Sequence, residues 1–341
     1  MTKKRKQRPV LDGPWWLTAP GADLSGRIVG DDEHRVLFEK GDHSEHNAPV
    51  DHHLFCDASG IWHLWACVRA TAVGRILYHW KSESLTKSPW LDTGEFIRAD
   101  RSSGECIDDW YGQEWLQSPY FIHTKDRYYM FFGGHRAGVD LKGRMLASSD
   151  AATEYETDES ACQMCLMTSS DGHTWERHRN PDGTSRLFLG PGETRDPCLI
   201  EIDGLWHMYY AGYYDRSRPE EGAGFVVRTS SDLVEWSDWR IVHRDPQYGV
   251  GRTETECPFV AYRAGYYYLF RTVDYYQCQT LVFRSEDPYD FGVGDASEKL
   301  VGRLPCAAPE IIETDEGEFV SSSHSPLFGE QMCKLRWIED T

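Results

Sequence analysis

One hairpin pattern recurs five times along the chain. Each copy has a short apolar strand, a polar turn and a second strand, which is rich in aromatic residues in the first four copies. The copies begin at residues 51, 118, 196, 257 and 308 and read DHHLFCDASGIWHLWACVR, SPYFIHTKDRYYMFFGGH, DPCLIEIDGLWHMYYAGYY, CPFVAYRAGYYYLFRTVD and APEIIETDEGEFVSSSH. Regular repeats constrain the fold more than any local motif, because every copy must form the same supersecondary unit.

A third strand follows each hairpin. The four clear copies read GRILYHWKSESLTKSPW, MCLMTSSDGHTW, GFVVRTSSDLVEW and LVFRSEDPYDF, and the C-terminal MCKLRWIED is the fifth. The four clear copies contain a turn rich in Ser and acidic residues, which are typical of turns for backbone reasons. We interpret the turns at Ser170-Asp171 and Ser231-Asp232 as sheet-edge turns without a chemical role.

Five such units predict an all-β fold, namely a five-bladed β-propeller in a single domain. A β-sandwich is the alternative, but sandwiches do not require repeats this regular. We expect residues 11–341 to form the catalytic propeller, with a strand from residues 11–40 closing the ring. Residues 1–10, MTKKRKQRPV, are expected to be a disordered basic tail. The long insertions at 92–117 and 134–161 should shape the mouth of the propeller.

Composition limits the partners. The net charge of −19 argues against nucleic acid and anionic membranes, and no apolar run reaches the length of a membrane span. The 13 Trp and 18 Tyr are compatible with a carbohydrate ligand, because these residues often line sugar sites as well as β cores. The oligomeric state is left open.

The ten cysteines are scattered singly. Only Cys162 and Cys165 approach a metal-binding spacing, and no second pair follows, so we expect them to pack within a strand. No apolar signal region follows the basic N-terminus, and this favours a reduced, cytoplasmic protein.

Three acids fall at hairpin entries. Aligning the five hairpins on their turns places Asp51 and Asp196 at the first strand residue and Glu256 one position earlier. In a propeller the inner strands surround the axis, so these carboxylates would meet at one mouth. Two or three carboxylates around one pocket are the usual apparatus of glycoside hydrolysis. Asp57, in a hairpin turn, and Glu254 are rival acids.

Two motifs carry a family resemblance. TRDPCLI and ETECPFV resemble the Arg-Asp-Pro and Glu-Cys-Pro motifs of glycoside hydrolase family 32, the invertases and fructanases. With Asp51 they also resemble the Asp, Asp, Glu order of family 43, the arabinanases and xylosidases. Both families are five-bladed propellers, and the resemblance covers residue 47 to the C-terminus. It implies that Asp51 is a nucleophile (family 32) or a base (family 43), Asp196 a transition-state stabiliser that binds sugar hydroxyls, and Glu256 the general acid/base.

Polar and aromatic residues near these entries are candidate substrate contacts. They are Asn47, His52, His53, Trp110, Trp115, His135, Arg136, Arg195 and Arg271. In some family 43 propellers a histidine in the position of His324 helps to hold a central ion. We nevertheless expect neither a metal nor a cofactor.

The leading interpretation is a glycoside hydrolase acting on a small glycoside or oligosaccharide. The type would be furanosidase-like, such as a β-fructofuranosidase, an arabinofuranosidase or a xylosidase. A glycoside phosphorylase of the same propeller type is the first alternative, with Arg136, Arg195 and Arg271 as candidate phosphate ligands. A non-catalytic carbohydrate-binding propeller is the second.

Overall fold

The computed structural model describes residues 4–22, 49–71, 74–105, 114–135, 162–215 and 217–340. In these ranges the chain forms β-strands joined by turns and short 3₁₀-helices, without an α-helix. No helix in the described ranges is long and apolar enough to cross a bilayer. The repeats predicted one domain, whereas the chain divides into two compact units: a first unit of residues 18–196, and a second unit of residues 1–17 and 197–341.

The strands are numbered in chain order. They are β1 (Gln7–Leu11), β2 (Trp16–Ala19), β3 (Val50–Cys56), β4 (Trp62–Thr71), β5 (Gly74–Ser82), β6 (Leu91–Ile97), β7 (Glu114–His123), β8 (Tyr128–His135), β9 (Cys162–Ser169), β10 (Glu176–Arg177), β11 (Arg186–Leu189), β12 (Arg195–Ile202), β13 (Leu205–Tyr213), β14 (Gly224–Ser230), β15 (Arg240–His243), β16 (Glu256–Arg263), β17 (Tyr266–Asp274), β18 (Gln279–Ser285), β19 (Leu300–Leu304), β20 (Ile311–Thr314), β21 (Gly317–Ser322) and β22 (Glu330–Glu339).

The first unit holds two antiparallel groups of strands. One group is β3, β4, β5 and β6, and the other is β7, β8 and β9 with β10 and β11 both paired to β9. A short parallel pairing joins β5 to β7, with Gly74 opposite Glu114 and Arg75 opposite Trp115. Gly74 has φ +110°, and a Cβ there would collide with the Glu114 backbone, so only glycine permits this close approach.

The second unit repeats the same antiparallel arrangement. Its sheets are β12-β13-β14-β15, β16-β17-β18-β19 and β20-β21-β22-β1. The boundary between the units falls within β12, because Arg195 and Asp196 belong to the first unit. Together with the two groups of the first unit, the described residues therefore contain five antiparallel groups in sequence order.

The basic N-terminus differs from its predicted structure. β1 runs antiparallel to the last strand, β22, from Gln7 opposite Glu339 to Leu11 opposite Leu335. Residues 7–10 are therefore not a disordered tail. β2, which lies within the predicted range 11–40, also pairs with β22. Pro9 is tolerated because β1 lies at the sheet edge, where a missing N–H donor is not needed.

The five hairpin entries share an unusual backbone conformation. The five repeat starts are all non-glycine residues in the left-handed region, with φ between 50° and 57°: Asp51, Ser118, Asp196, Cys257 and Ala308. Few non-glycine residues adopt this conformation. The strand register shifts around three of these starts, in β3, β7 and β16, as expected for an extra residue that bends the strand. The repeat alignment is therefore correct to the residue.

The sheet-edge turns also repeat. In the turn after β9, Ser169 Oγ accepts hydrogen bonds from the N–H groups of Asp171 and Gly172, and Asp171 Oδ1 accepts two from the next residues. Ser230 and Asp232 make the same contacts after β14. The carboxylates at Asp171 and Asp232 thus hold the turns together, as predicted.

The core of the first unit is rich in aromatic side chains. Phe55, Trp65, Phe121 and Phe132 are buried in one cluster with aliphatic and sulfur-containing neighbours. Cys165 belongs to this cluster, and Cys162 is buried in the same strand, β9, so both pack as their spacing predicted. Burying such rings contributes about 1.5–3 kcal/mol each and fixes the strands that carry the hairpin entries.

Candidate active site

Hairpin entries of the first unit bring two carboxylates into one electrostatic cluster. Asp51 lies at the start of β3 and Asp196 at the start of β12. Burial raises the pKa of Asp51, and the negative charge of Asp196 raises it further, whereas Arg195, Arg69 and Arg75 oppose both effects. A carboxylate whose proton affinity is raised by burial and by a second carboxylate is a common arrangement in acid–base catalysis.

Asp196 is held by two donors. Ser118 Oγ, from the equivalent entry of β7, donates to Asp196 Oδ1 at 2.5 Å. Arg195 Nη1 donates to Asp196 Oδ2 at 3.1 Å. The side chain of Asp196 is almost fully buried, so these contacts supply hydrogen bonds that water would otherwise provide. The buried carboxylate at the front of this strand is therefore paired, with both oxygens oriented.

Glu193 is a third carboxylate of this cluster, and it was not among the predicted residues. Arg195 Nε donates a hydrogen bond to Glu193 Oε2, so one guanidinium contacts both Glu193 and Asp196. Burial raises the pKa of Glu193, and Arg195 opposes this shift. Glu193 lies in a turn and Thr194 has φ +46°, so the alternation of an extended strand gave no signal for this contact.

One glycine of β8, Gly133, makes room for this segment. A Cβ on Gly133 would lie 2.9 Å from the carbonyl oxygen of Thr194 and 3.3 Å from Cα of Arg195. Real Cβ atoms do not approach a backbone oxygen that closely without displacing it, so Gly133 lets the start of β12 pack directly against β8. Gly133 of the FGGH sequence is thus required for the packing of the segment that carries Arg195 and Asp196.

Arg75 and Trp115 form a stacked pair beside the cluster. The Arg75 guanidinium lies 3.6 Å from the centre of a Trp115 ring, and Arg75 Nη1 donates to Gln117 Oε1 at 2.6 Å. Trp115 is 4% exposed, so in this structure it supports Arg75 rather than offering an open stacking wall to a sugar. Trp115 was predicted to contact substrate, and this burial corrects that interpretation.

The two histidines after Asp51 differ. His52 is buried, whereas His53 packs between β3 and β7. The backbone N–H of Phe121 donates to His53 Nδ1 at 3.1 Å, and the His53 ring lies 3.9 Å from the ring of Tyr120. The contacts of His53 are therefore those of a packed side chain, and its predicted contact with substrate is not supported.

In the second unit, Glu256 begins β16 and lies opposite Thr272. The rival acid Glu254 serves the backbone instead, because its Oε2 accepts a hydrogen bond from the N–H of Gly251 at 2.8 Å and caps a short 3₁₀-helix. Asp57, the other rival acid, accepts the backbone N–H groups of Ser59 and Ile61 in the β3–β4 turn. Both rivals thus stabilise local backbone structure.

Arg271 was predicted to contact substrate, and the structure corrects this. It is fully buried in β17 and donates to protein groups. Its acceptors are the carbonyl oxygens of Glu254, Asp245, Tyr248 and Gly249 and Nε2 of His243. Burial lowers the pKa of Arg271 to about 10, which still leaves it charged at neutral pH. Arg271 therefore fastens the loop that precedes Glu256.

Several predicted residues lie outside the described residues. These are Asn47, Trp110 and Arg136. For His135 only the backbone is described, at the end of β8 opposite Cys162. His324 is buried and packs against the rings of Tyr275 and Tyr276. Their assignments to a site remain predictions.

Solved structures share this fold. A thermostable family-43 glycoside hydrolase aligns with 86% of this chain and 91% of its own at 15% identity, with a TM-score of 0.57. The fold is that of the family-43 glycoside hydrolases. The GH43_1 enzyme from Xanthomonas citri (85% and 87% covered, 13% identity, TM-score 0.54) and the GH43 endo-arabinanase from Bacillus licheniformis (88% and 95%, 14%, 0.53) are similar too. No protein-family model and no curated protein matches the chain.

Two of the predicted catalytic residues lie close together. Among the predicted catalytic residues, the structure brings Asp51 and Asp196 into one cluster in the first unit, together with the predicted Arg195. The residues that the sequence did not single out are Glu193, Ser118 and the Arg75–Gln117 pair. The entry alignment could have found Ser118, because it occupies the same position as the two aspartates.

Proposed function

We propose that this protein is a glycoside hydrolase built on a five-bladed β-propeller. The observation that carries the proposal is the pair of interacting carboxylates, Asp51 and Asp196, at equivalent hairpin entries of a family-43 fold. The five antiparallel groups of strands, the last completed by β1, support five blades. Glu256, at the entry of the fourth repeat, would be the third carboxylate.

Each carboxylate has a proposed role. Asp51 acts on the anomeric carbon, as a nucleophile or through a water that it deprotonates, and burial and the charge of Asp196 raise its pKa, which makes it a stronger base. Asp196, oriented by Ser118 and Arg195, binds sugar hydroxyls and stabilises the transition state. Glu256 protonates the leaving oxygen. Arg195 keeps two carboxylates in place at once.

The proposed substrate class comes from the structural neighbours. The Xanthomonas citri enzyme was solved with xylotriose and with xylose, and other neighbours are an exo-1,5-α-L-arabinanase and a β-xylosidase. We therefore propose a xyloside or an arabinofuranoside as the first substrates to test, with fructofuranosides as the third class.

The test is hydrolysis of nitrophenyl xylosides and arabinofuranosides, and of fructo-oligosaccharides. Wild type is compared with Asp51→Asn, Asp196→Asn and Glu256→Gln. Glu254→Gln is the matched control, because it alters an acid two residues away whose oxygen caps a backbone N–H. Removing a general acid or base should reduce kcat by about 10²–10⁴-fold, whereas the control should retain most of its activity.

The alternatives give different results. Turnover that begins only when phosphate is added would assign a phosphorylase. The structure weakens that alternative, since Arg271 uses its donors on backbone carbonyls. Sugar binding of equal strength in wild type and Glu256→Gln, without turnover of any substrate, would assign a binding protein. Full activity in both Asp51→Asn and Glu256→Gln would refute the proposed roles.

A further inference from the structure

Asp57, His63 and His173 form a cluster in the first unit, at residues that the proposed hydrolase chemistry does not use. Asp57 lies in the turn between β3 and β4, His63 lies in β4, and His173 lies in the turn after β9. Asp57 Oδ2 is 3.2 Å from His63 Nε2 and 3.1 Å from His173 Nε2. The three atoms lie within 4.8 Å of one another.

The Asp57 carboxylate is oriented by its own turn. Oδ1 accepts the backbone N–H groups of Ser59 at 2.9 Å and Ile61 at 2.8 Å, and Ser59 Oγ contacts both oxygens. The turn thus holds the carboxylate with Oδ2 directed at the two imidazoles.

His79 continues the chain of contacts beyond His63. His79 Nδ1 faces two oxygens, Glu95 Oε2 at 3.4 Å and Thr93 Oγ1 at 3.0 Å. A carboxylate can only accept, and the single proton of the Thr93 hydroxyl is directed to the His79 carbonyl oxygen. His79 Nδ1 must therefore carry a proton. In the neutral ring, His79 Nε2 is then an acceptor.

Assigning the protons of these histidines leaves His63 Nε2 as an acceptor that faces Asp57. His79 Nε2 lies 2.9 Å from His63 Nδ1, so His63 Nδ1 must donate to it. A neutral imidazole carries one proton, so with Nδ1 as the donor His63 Nε2 is an acceptor. That lone pair points at a carboxylate oxygen of Asp57, and two acceptors at this distance repel unless a cation lies between them.

We propose that Asp57 Oδ2, His63 Nε2 and His173 Nε2 bind a divalent transition-metal ion, with Zn²⁺ the best match. Two imidazoles and one carboxylate are typical zinc ligands at about 2.0–2.2 Å, and a tetrahedron of that size separates its ligand atoms by about 3.3 Å. The observed separations of 3.2 and 3.1 Å fit that spacing. His173 is about half exposed, so solvent can supply the fourth ligand.

The contacts behind His63 match the outer shell of a metal site. A histidine that binds metal through one nitrogen usually donates its other N–H to an acceptor, which fixes the tautomer. Here His63 Nδ1–H donates to His79, and His79 Nδ1–H faces Glu95 and Thr93. The metal would join the β3–β4 turn to the turn after β9, where Asp171 holds the backbone N–H of His173. It would thus connect the two strand groups of the first unit, independently of any catalytic role.

The experiment titrates protein without an affinity tag with Zn²⁺ and Co²⁺, using a competing chromophoric chelator and the visible spectrum of bound Co²⁺. A Cys56→Ser background removes the exposed thiol next to Asp57. We expect one equivalent of metal, intense tetrahedral Co²⁺ bands and a rise in the unfolding temperature that a chelator reverses. His173→Asn should weaken binding by more than about 100-fold, since even outer-shell changes weaken metal sites about 10–100-fold.

Two further variants separate this site from adventitious binding. His123→Asn is the matched control, because His123 is another exposed histidine of the first unit, and it should bind like wild type. Glu95→Gln alters only the outer shell and should weaken binding about tenfold. Equal metal binding by wild type and His173→Asn, or no saturable binding by wild type, would overturn the proposal. If only shared protons held Asp57 to the two histidines, wild type would show no saturable metal binding.

Discussion

Replacing Arg271 by methionine tests whether this side chain positions the loop before Glu256. Arg271 is fully buried and donates to four carbonyl oxygens of residues 245–254 and to His243 Nε2. Methionine keeps a long apolar stem but removes all the donors. The loop would lose its attachment to β17, whereas the strand pairing of β17 with β16 and β18 would remain.

The magnitude follows from the acceptors left behind. An unsatisfied buried acceptor costs about 1–3 kcal/mol, and carbonyls on a loop can partly recover by contacting water. Taking about 1 kcal/mol for each of the four carbonyls gives a loss of about 4 kcal/mol, which agrees with the 3–5 kcal/mol typical of removing one partner from a buried charged network. Arg271→Lys should fall between wild type and methionine, because an ammonium cannot reproduce the planar fork of donors.

The assay is urea unfolding at neutral pH, with activity on the best substrate measured in parallel. Arg303→Met is the matched control, because Arg303 is exposed in β19 and its loss should change stability by less than about 0.5 kcal/mol. If Arg271 positions Glu256, kcat should fall with little change in KM. A stability loss under about 1 kcal/mol, or a rise in KM alone, would refute the positioning role and restore the substrate-binding one.

Three other predictions follow from single contacts. Gly133→Ala should cost about 1–3 kcal/mol and reduce activity, because its Cβ overlaps the start of β12, whereas Gly302→Ala, with nothing within 4 Å, should be neutral in the same urea series. Burial and the neighbouring Arg271 guanidinium lower the pKa of His243 to about 3. Between that pH and the ordinary pKa of histidine, the unfolded state therefore binds a proton that the folded state does not bind. The stability that neutral His243 contributes to the folded state is thus full above about pH 6.5 and is lost as the pH falls toward 3. His243→Gln should therefore reduce the slope of unfolding free energy against pH by up to about 1.4 kcal/mol per pH unit. Urea titrations at several pH values measure this slope. Iodoacetamide should label the exposed Cys56 long before Cys67, which is buried with a pKa of about 12; peptide mapping that found the reverse order would contradict the burial.

The repeated hairpins were predictable because they are encoded locally. Alternation of apolar and polar residues, a polar turn and an aromatic strand all lie within about 20 residues, so one sequence suffices to align the copies. The alignment identified the five left-handed residues, although it could not reveal their conformation. The position of Asp51 beside Asp196 followed from that alignment, because both residues occupy the same position at the start of a repeat.

The misread features depend on contacts distant in sequence. β1 pairs with β22 more than 300 positions away, and the basic residues around the start of β1 obscured that strand. Arg271 was chosen for its charge, but its burial and its carbonyl acceptors are tertiary facts. Glu193 and the histidine chain at His63 were missed for the same reason, because neither contains a motif that one sequence can distinguish from a turn or a core residue.

The left-handed hairpin entries separate what the fold requires from what the chemistry requires. Strained backbone at an active site is often taken as a sign of function. Here the same conformation occurs at Cys257 and Ala308 as well as at the two aspartates, so it belongs to the repeated strand entry and not to catalysis. The informative variable is which side chain each entry carries. In the first unit, two entries carry a carboxylate and the entry between them carries the Ser118 hydroxyl, and these side chains form the acidic cluster. The fifth entry carries alanine, whose side chain has no group that could take part in catalysis.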